Sequence, residues 1–464
     1  MTIGIQAKNL YSFLINTNCS PANTFMYAGA EKVTYGELHE QIEKRRKEIE
    51  EQGILEGDLV AVQLPSSHTL IYLLLALWKQ GASVFLIDVR LKADERLELF
   101  IKTKPRYFIS SESSLSIAAI SEIEMKIEKL DDSTIGIDAP LLLSTSGSTG
   151  SPKIVGRTYE SIHKEIIRFI SIPDGIHAKD VIMILSPITF SYGLMSALLP
   201  SLYIGASIIM PSIRTNDIIS SILKYKVSVI YGVPYHYNLL QSTYDETSKQ
   251  ANLSSLRACI SAGERLTIEV FNLFKDKFGV KIGQLYGMTE IGLISVDFKG
   301  EYDDSVGVPL LSLQLKDNHI FVEQKYSPYI YNMDESLYTS PWLKTGDVGI
   351  LTEQALYIKG RSDSLIIKGG IKFYLSEIEE VLRRSIYIKD VTVQRNPNSG
   401  DIIAYLEIEK IESIDLIVSY IRSNISNHKS PGKLAFLKSF PRTMSGKLDK
   451  KQLNHITPIK EVKL

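Results

Sequence analysis

From its amino terminus to about residue 300, the chain alternates short apolar runs rich in β-branched residues with longer amphipathic stretches. The runs at 59–64, 82–87 and 181–185 have the length of buried strands, and the stretch at 35–51 has helical periodicity. Parallel strands need a crossover long enough to hold a helix, so this alternation is typical of parallel sheets. The sequence therefore predicts a large α/β domain of parallel-type sheets flanked by helices.

Beyond this region the pattern changes twice. Residues 303–356 form short alternating pieces with turns, which predict a β-rich subdomain. The last hundred residues predict two strands, at 390–394 and 401–408, then a helix at 414–425 and an irregular tail, as in a small α+β domain. At 464 residues the chain is too long for one ordinary core. We predict an N-terminal domain at 1–359, a hinge at the polar segment 360–363, and a mobile C-terminal domain at 364–464.

Composition and charge exclude several classes of protein. A formal net charge of -1 offers no basic surface for nucleic acid or for an anionic membrane. The only cysteines, Cys19 and Cys259, cannot form a disulfide framework or a cysteine-rich zinc site. The apolar runs at 70–78 and 197–210 are too short to span a bilayer, and residues 1–11 lack the pattern of a secretory signal. These features predict a cytoplasmic protein whose partners are small molecules.

A loop of hydroxyl side chains and glycines follows the apolar run at 141–143. It consists of Ser144, Thr145, Ser146, Gly147, Ser148, Thr149, Gly150, Ser151, Pro152 and Lys153. Such a loop offers backbone N–H groups, hydroxyls and one cation to a polyphosphate. The alternative, a flexible Ser/Gly connector, is disfavoured by the buried strand before the loop and by the Pro-Lys that closes it. The loop lacks the Gly-Lys-Ser/Thr of a P-loop, which leaves a kinase or P-loop ATPase as the weaker enzyme alternative.

This loop resembles the signature loop of the adenylate-forming superfamily, which includes acyl- and aryl-CoA synthetases, peptide-synthetase adenylation domains and luciferases. Five further motifs resemble that family, in the family's order. They are Thr34-Tyr35-Gly36-Glu37-Leu38, Tyr286-Gly287-Met288-Thr289-Glu290, Lys344-Thr345-Gly346-Asp347, Gly360-Arg361-Ser362-Asp363 and Pro441-Arg442-Thr443-Met444-Ser445-Gly446-Lys447. The resemblance implies an enzyme that activates a carboxylic acid with ATP as an acyl-AMP. The acyl group would then pass to the thiol of coenzyme A or of a carrier protein's phosphopantetheine.

The resemblance also implies roles in binding ATP. Tyr286 would flank adenine, Thr289 would bond the α-phosphate, and Glu290 would hold Mg²⁺, which binds through carboxylates and substrate phosphates. Asp347 would accept both ribose hydroxyls, and Arg361 would contact the ribose or a phosphate. The same resemblance adds Gly263, Glu264 and Gly287 to the ATP site. Taken alone, each residue has an ordinary alternative role: Tyr286 in the core, Glu290 at a helix start, Asp347 in a turn, Arg361 in a surface ion pair.

Three further roles follow from the C-terminal motifs. Lys447 would place a cation between the attacking carboxylate and the α-phosphate, although a lysine near Lys450 and Lys451 is usually solvated. Asp363 would be the pivot of the hinge, with a surface ion pair as its alternative. Gly369 and Gly370 would let a pantetheine arm pass close to the backbone. Ile367 stands where many relatives have lysine, and Phe190 where many acyl-CoA synthetases have histidine.

The identity of the acid is constrained by a missing charge. No acidic residue occurs from 186 to 210, and an unpaired buried ammonium is costly, so an α-amino acid is disfavoured. Three segments resemble benzoate-type aryl-CoA ligases and would form a flat acyl pocket. They contribute Phe190, Ser191, Tyr192, Gly193, Tyr231, Gly232, Ser261 and Ala262.

Several alternatives stay open at this stage. Phe190 and Tyr231 are equally compatible with the core, and a fatty or short aliphatic acid would also suit an apolar pocket. A non-catalytic nucleotide-binding module is disfavoured, because the candidate phosphate, metal and catalytic residues are all retained. The pattern does not distinguish coenzyme A from a carrier protein, and it contains no signal for an oligomeric state.

Overall fold

The computed structural model describes residues 9–15, 19–28, 31–111, 122–130, 137–145, 153–211, 215–243, 253–331, 338–368, 371–396, 400–443, 446–453 and 455–464. They fall into two compact units. The first comprises Met1–Leu311 and Gln324–Pro341, and the second comprises Ser312–Glu323 and Trp342–Leu464. The domain boundaries predicted at 359 and 364 stay a prediction.

The α-helices are α1 (Leu10–Leu14), α2 (Tyr35–Glu51), α3 (His68–Gln80), α4 (Ala93–Thr103), α5 (Tyr159–Ile170), α6 (Leu199–Ile204), α7 (Thr215–Tyr225), α8 (Pro234–Thr243), α9 (Ile268–Phe278), α10 (Leu375–Arg383), α11 (Ile414–Asn424) and α12 (Lys450–Leu453). A π-helix spans Tyr192–Leu198, and short 3₁₀ turns span Ser362–Ser364 and Ile411–Ser413. No helix in the described part of the chain is both long and apolar enough to cross a bilayer.

The strands are β1 (Thr24–Ala28), β2 (Glu31–Thr34), β3 (Leu59–Gln63), β4 (Ser83–Leu86), β5 (Tyr107–Ser110), β6 (Lys126–Lys129), β7 (Leu141–Thr145), β8 (Lys153–Arg157), β9 (Val181–Ile184), β10 (Ser207–Ile209), β11 (Val229–Gly232), β12 (Ala258–Ala262), β13 (Ile282–Met288), β14 (Gly292–Asp297), β15 (Val308–Pro309), β16 (Leu313–Lys316), β17 (His319–Glu323), β18 (Tyr329–Tyr331), β19 (Tyr338–Thr339), β20 (Trp342–Leu351), β21 (Leu356–Arg361), β22 (Leu365–Lys368), β23 (Ile371–Tyr374), β24 (Asp390–Arg395), β25 (Ile402–Glu407), β26 (Lys433–Leu437) and β27 (Lys460–Lys463).

Two large sheets organise the first unit. One has the strand order β15-β14-β13-β12-β11-β9-β10-β1-β2, and the other has the order β18-β8-β7-β4-β3-β5-β6. Their central strands are parallel and buried on both faces, as the continuous apolar runs predicted. In such sheets ligands bind beyond the carboxyl ends of the strands. The predicted α/β fold class of this unit is confirmed.

The first family motif is a helix cap. The Thr34 hydroxyl accepts the backbone N–H of Glu37 at 3.2 Å, and the Glu37 carboxylate accepts the N–H of Thr34 at 2.7 Å. These reciprocal bonds form a capping box that fixes the start of α2. This part of the motif therefore has a structural function, and the helix predicted at 35–51 is confirmed.

The second unit contains the β-rich pieces and the C-terminal residues. Strands β16, β17, β20 and β21 pair antiparallel in that order. Strands β24, β25, β26 and β27 form a mixed sheet against α10 and α11. The prediction of an irregular tail after 425 is wrong, because Lys433–Leu437 forms β26 and pairs in parallel with β25. Its five residues give too short a periodic signal to predict a strand.

Candidate active site

The predicted phosphate loop connects two antiparallel strands. Thr145 ends β7, Lys153 begins β8, and the two residues are partners in the ladder. Strands β7 and β8 are thus the two arms of a β-hairpin, whereas a P-loop leads from a strand into a helix. Ser146, Gly147, Ser148, Thr149 and Gly150, predicted to bind phosphate, lie outside the described residues. Half-buried Lys153 places its Nζ 5.6 Å from the centroid of the Tyr329 ring.

The motif Tyr286-Gly287-Met288-Thr289-Glu290 forms the end of β13 and a tight turn into β14. Backbone N–H of Ile291 closes the turn on the carbonyl of Met288 at 3.1 Å. A Cβ on Gly287 would lie 2.5 Å from the carbonyl oxygen of Gly292, so only glycine fits there. Glu290 is 9% exposed in this turn and does not begin a helix. Its position excludes the alternative of a solvated helix start.

Tyr329 contacts both Lys153 and Glu290, and it belongs to none of the motifs found in the sequence. Strand β18 pairs with β8, which brings Tyr329 beside Val155. The Tyr329 hydroxyl donates to Oε1 of Glu290 at 3.4 Å, while its ring receives the ammonium of Lys153. A cation and a carboxylate therefore meet at one buried aromatic side chain. No local pattern around Tyr329 distinguishes it from an ordinary strand aromatic.

Glu290 suits a magnesium ion held mainly by substrate phosphates. Mg²⁺ binds through one or two carboxylates, with phosphates and water as its other ligands. Among the residues that the structure describes, no group of three or more His, Cys, Asp or Glu side chains could hold a metal. The buried carboxylate of Glu290 suits an ion that takes its other ligands from substrate phosphates and water.

In the sheet that contains β13, strands β12 and β13 place two residues predicted to bind ATP side by side. Ala262 is the ladder partner of Leu285, so Gly263 and Tyr286, one residue further along each strand, are neighbours at the carboxyl edge. Gly263 has a φ of 86°, a conformation that favours glycine, and Glu264 follows it. Tyr286 is half-buried, as an aromatic face that contacts a planar ring would be.

In the second unit, Asp347 and Arg361 form an ion pair. They are partners across β20 and β21, and Arg361 Nη1 donates to Asp347 Oδ1 at 3.0 Å and to the carbonyl of Thr345 at 3.3 Å. The backbone N–H of Asp347 donates to the hydroxyl of Thr345 at 3.0 Å. These contacts orient the Asp347 carboxylate. The sequence predicted separate contacts with the nucleotide and did not reveal this pairing.

We expect Gly346→Ala to raise the KM for ATP about tenfold, because an alanine in the left-handed region costs about 1–2 kcal/mol and would displace its neighbour. Gly346 has a φ of 80°, and its Cβ would lie 2.9 Å from Arg361 Nη2. Gly279→Ala is the matched control, since Gly279 has a φ of 70° and nothing within 4 Å of its Cβ. Steady-state kinetics should show the change in KM at Gly346 alone. An equal rise in the control would mean that backbone strain, and not the Arg361 contact, is responsible.

Lys447 ends a tight turn that its neighbours hold in place. The backbone N–H of Thr443 donates to the carbonyl of Lys447 at 2.7 Å, and Gly446 has a φ of 80°. Arg442 donates to Asp390 Oδ2 at 2.5 Å and to the carbonyl of Gly446 at 3.2 Å. Arg442 thus fastens the turn to the start of β24. Met444 and Ser445 lie outside the described residues.

The predicted acyl segment leads into the π-helix Tyr192–Leu198. π-helical turns are rare and frequently occur at functional sites. Phe190 and Ser191 are half-buried before it. A Cβ on Gly193 would lie 2.4 Å from the carbonyl oxygen of Pro187, so this glycine permits the close turn.

Tyr192 and Tyr231 meet near the carboxyl ends of β11 and β12. Their ring centroids are 6.1 Å apart, and the Tyr192 hydroxyl donates to the carbonyl of Ile260 at 2.7 Å. Ladder pairing places Gly232 beside Ser261, with Ala262 next along β12. Burial raises the pKa of both tyrosine hydroxyls, so they stay protonated. Tyr231 is fully buried, which fits a pocket floor and a core aromatic equally.

Asp363, Gly369 and Gly370 were predicted to form the hinge pivot and the thiol channel. The backbone of Asp363 lies in the 3₁₀ turn Ser362–Ser364, between β21 and β22. Gly369 and Gly370, predicted to line the thiol channel, lie outside the described residues. The roles assigned to these three residues stay predictions.

Comparison with known proteins supplies relatives that match nearly the whole chain. 2-Succinylbenzoate–CoA ligase of Bacillus subtilis (strain 168) is 26% identical over 458 residues, covering 91% of this chain and 92% of the relative. The enzyme of the same name from Geobacillus sp. (strain WCH70) is 26% identical over 482 residues, covering 95% and 96%.

Solved structures match the fold over a similar extent. ATP-bound MatB from Rhodopseudomonas palustris has a TM-score of 0.81 at 20% identity, covering 97% of this chain and 98% of the other. The o-succinylbenzoate CoA synthetase of Bacillus subtilis, in complex with its acyl-adenylate intermediate, has a TM-score of 0.79 at 24% identity, covering 97% and 98%. Both confirm the predicted fold class.

A family model described as AMP-binding enzyme matches residues 15–318. That range includes the hairpin with Lys153, the turn with Glu290, and the segments with Phe190, Tyr231 and Ser261. The family and the class of enzyme predicted from the motifs are both confirmed. This chain belongs to the family of AMP-binding enzymes.

Proposed function

We propose that this protein is an ATP-dependent, AMP-forming ligase that joins an aromatic carboxylic acid to coenzyme A. The observation that carries the proposal is the meeting of Lys153 and Glu290 at Tyr329, which provides a cation for phosphates and a carboxylate for Mg²⁺. The relatives named 2-succinylbenzoate–CoA ligase, which match along 91–95% of the chain, support the choice of an aromatic acid and of coenzyme A.

In the first half-reaction, a carboxylate oxygen of the acid attacks the α-phosphorus of ATP, and the bond to pyrophosphate breaks. Lys153 and Thr289 bind phosphate oxygens, and Lys447 stabilises the charge that develops between the two anions. Bound Mg²⁺, held by Glu290, would supply neutralising charge on the phosphates. Asp347, oriented by Arg361, accepts the ribose hydroxyls and fixes the nucleotide for in-line attack.

In the second half-reaction, the sulfur of coenzyme A attacks the acyl carbon of the acyl-AMP. The thioester forms, AMP leaves, and the thiol proton passes to solvent. The hinge at 360–363 with Asp363 as pivot, the domains at 1–359 and 364–464, and a thiol passage along Gly369 and Gly370 belong to this proposal. A hinge would let one active site present Lys447 for the first step and admit the thiol for the second.

Selection of an aromatic acid rests on the aromatic side chains at the carboxyl ends of β11 and β12. Half-buried Tyr192 can present a flat face beside the buried ring of Tyr231, and the protonated hydroxyls of both residues add no charge. The sequence from 186 to 210 lacks an acidic residue to pair with an ammonium. These features suit a planar acid and disfavour an α-amino acid.

Pyrophosphate–ATP exchange across a panel of acids tests the proposal. The panel contains 2-succinylbenzoate, benzoate, a long-chain fatty acid, acetate and an α-amino acid. We expect exchange with aryl acids, followed by thioester formation with coenzyme A. Exchange with aliphatic acids alone would contradict the aromatic assignment, and transfer only to a phosphopantetheinylated carrier protein would replace coenzyme A as the acceptor. Exchange with no acid would contradict the enzymatic function.

We expect Phe190→Ala to change the preference among acids at least tenfold while changing the KM for ATP less than threefold, because removing a pocket wall alters apolar contacts by about 1–3 kcal/mol. Phe190 is half-buried where the chain enters the π-helix. Phe278→Ala is the matched control, since Phe278 is also half-buried but packs on Phe274 of α9, with ring centroids 4.4 Å apart. The ratio of kcat/KM values for benzoate and 2-succinylbenzoate is the readout. An unchanged ratio would make Phe190 a core residue.

A further inference from the structure

A buried ion pair lies behind the turn that carries Glu290. Arg157 Nη2 and Glu165 Oε2 are 2.6 Å apart, and their side chains are 1% and 2% exposed. Arg157 ends β8, and Glu165 lies in α5. Neither residue belongs to the motifs from which ATP binding was predicted. We propose that Arg157 and Glu165 are positioning residues that hold the Thr289–Glu290 turn in its productive geometry for adenylation.

Each partner reaches a different end of the turn. Arg157 Nη1 donates to the carbonyl oxygen of Thr289 at 3.4 Å, and Arg157 Nε donates to the hydroxyl of Ser161 at 3.2 Å. Glu165 Oε1 accepts the backbone N–H of Leu293 at 3.0 Å. The pair therefore holds the chain on both sides of Glu290, at Thr289 in the turn and at Leu293 near the start of β14. The Glu290 side chain belongs to the segment between these two contacts.

The backbone of the turn is adapted to this carboxylate. Gly292 has a φ of 87°, and a Cβ there would lie 2.1 Å from Glu165 Oε2. Any other residue at this position would push the carboxylate away or move the turn. The Glu165 carboxylate therefore packs directly on the backbone of Gly292, next to the Leu293 N–H whose hydrogen bond it accepts.

The pair also links the turn to the phosphate hairpin. Arg157 is the last residue of β8 and Lys153 is the first. A single five-residue strand thus fixes Lys153 at one end and, through Arg157, the carbonyl of Thr289 at the other. Small displacements of groups that bind phosphates and metal reduce rates strongly. Strand β8 and the bond from Arg157 to Thr289 therefore hold Lys153 and Glu290 at a fixed separation.

Stability alone gives a poor account of such a pair. Replacing a buried ion pair by apolar residues of similar size is often neutral or stabilising, because desolvating two charges offsets their attraction. The two extra bonds, to the carbonyl of Thr289 and to the N–H of Leu293, are made to the backbone on the two sides of Glu290. An apolar pair of similar size would keep the packing and lose both bonds. Such a variant therefore distinguishes a role in stability from a role in positioning the turn.

The inference rests on the proposed function, and three variants test it in the full-length protein. The double variant Arg157→Met, Glu165→Leu should stay folded, with the kcat of pyrophosphate exchange falling tenfold or more and the KM for the acid changing less than threefold. Arg157→Lys keeps a positive charge but lacks the planar fork that reaches Thr289, so we expect an intermediate loss. Glu165→Gln keeps an acceptor for Leu293 and should restore part of the activity that the double variant loses.

Two readouts do not depend on turnover. Calorimetry of ATP binding with and without Mg²⁺ should show that the gain in affinity from Mg²⁺ falls at least fivefold in the double variant. Hydrogen exchange of the peptide containing Leu293 should become faster. Wild-type values for kcat, for the Mg²⁺ gain and for exchange in all folded variants would overturn the proposal, and if the double variant fails to fold, Arg157→Lys and Glu165→Gln decide it.

The two proposals fail in different ways. Absence of pyrophosphate exchange with every acid in the wild-type protein would contradict the enzymatic function. Binding of ATP with Mg²⁺ and the exchange of Leu293 would still measure whether the pair holds the turn.

Discussion

Replacing Lys447 by alanine lowers the rate of acyl-AMP formation by about a hundred- to a thousandfold, the usual loss for one transition-state charge contact. Acyl transfer from preformed acyl-AMP stays within about threefold of wild type, because its electrophile no longer bears the triphosphate. The turn itself should persist in the variant. Its bonds from Thr443 to Lys447 and from Gly446 to Thr443 are made by the backbone.

Single-turnover measurements separate the two half-reactions of Lys447→Ala. Formation of acyl-AMP is followed without coenzyme A, and thioester formation is followed from synthetic acyl-AMP. Lys450→Ala is the control, since Lys450 is an exposed lysine three residues further along, at the start of α12. Equal losses in both half-reactions would show that Lys447 acts through the fold. A comparable loss in Lys450→Ala would show a general effect of surface charge.

Glu290→Gln should lower adenylation by about a hundredfold, since it removes the charge that holds a metal ion on the phosphates. Glutamine has nearly the same size and keeps an acceptor for the Tyr329 hydroxyl. The buried turn, in which Glu290 is 9% exposed, should therefore remain intact. The concentration of Mg²⁺ that gives half of the maximal rate should rise in parallel, because the variant holds the ion less tightly.

Titrating pyrophosphate exchange with Mg²⁺ measures this effect. Glu160→Gln is the control, because Glu160 is an exposed carboxylate of α5 that pairs with Lys164 at 2.8 Å. Tyr329→Phe removes only the hydroxyl that donates to Glu290, and we expect a loss of a few-fold, as for one hydrogen bond to a charged group. A normal Mg²⁺ requirement in Glu290→Gln would mean that another carboxylate holds the ion.

Local sequence was sufficient to predict the fold class and the family. The β-branched runs gave β3, β4 and β9, because strand and helix periodicities follow from backbone geometry alone. The six motifs identified the family, and each places its residue types at a fixed spacing. Thr34 and Glu37 illustrate why such motifs can be recognised in the sequence alone. Their capping box forms within four consecutive residues and needs no distant part of the chain.

Tertiary structure decided which of these residues meet. Tyr329 lies 39 residues beyond Glu290, and only the pairing of β18 with β8 brings it there. The Asp347–Arg361 pair depends on the register of β20 and β21. A shift of one residue in that register would place the two side chains on opposite faces of the sheet. Arg157 and Glu165 had no motif, because their partners in the turn are backbone atoms more than a hundred residues away. Residue spacing specifies local conformation, whereas strand order and register determine which distant side chains come into contact.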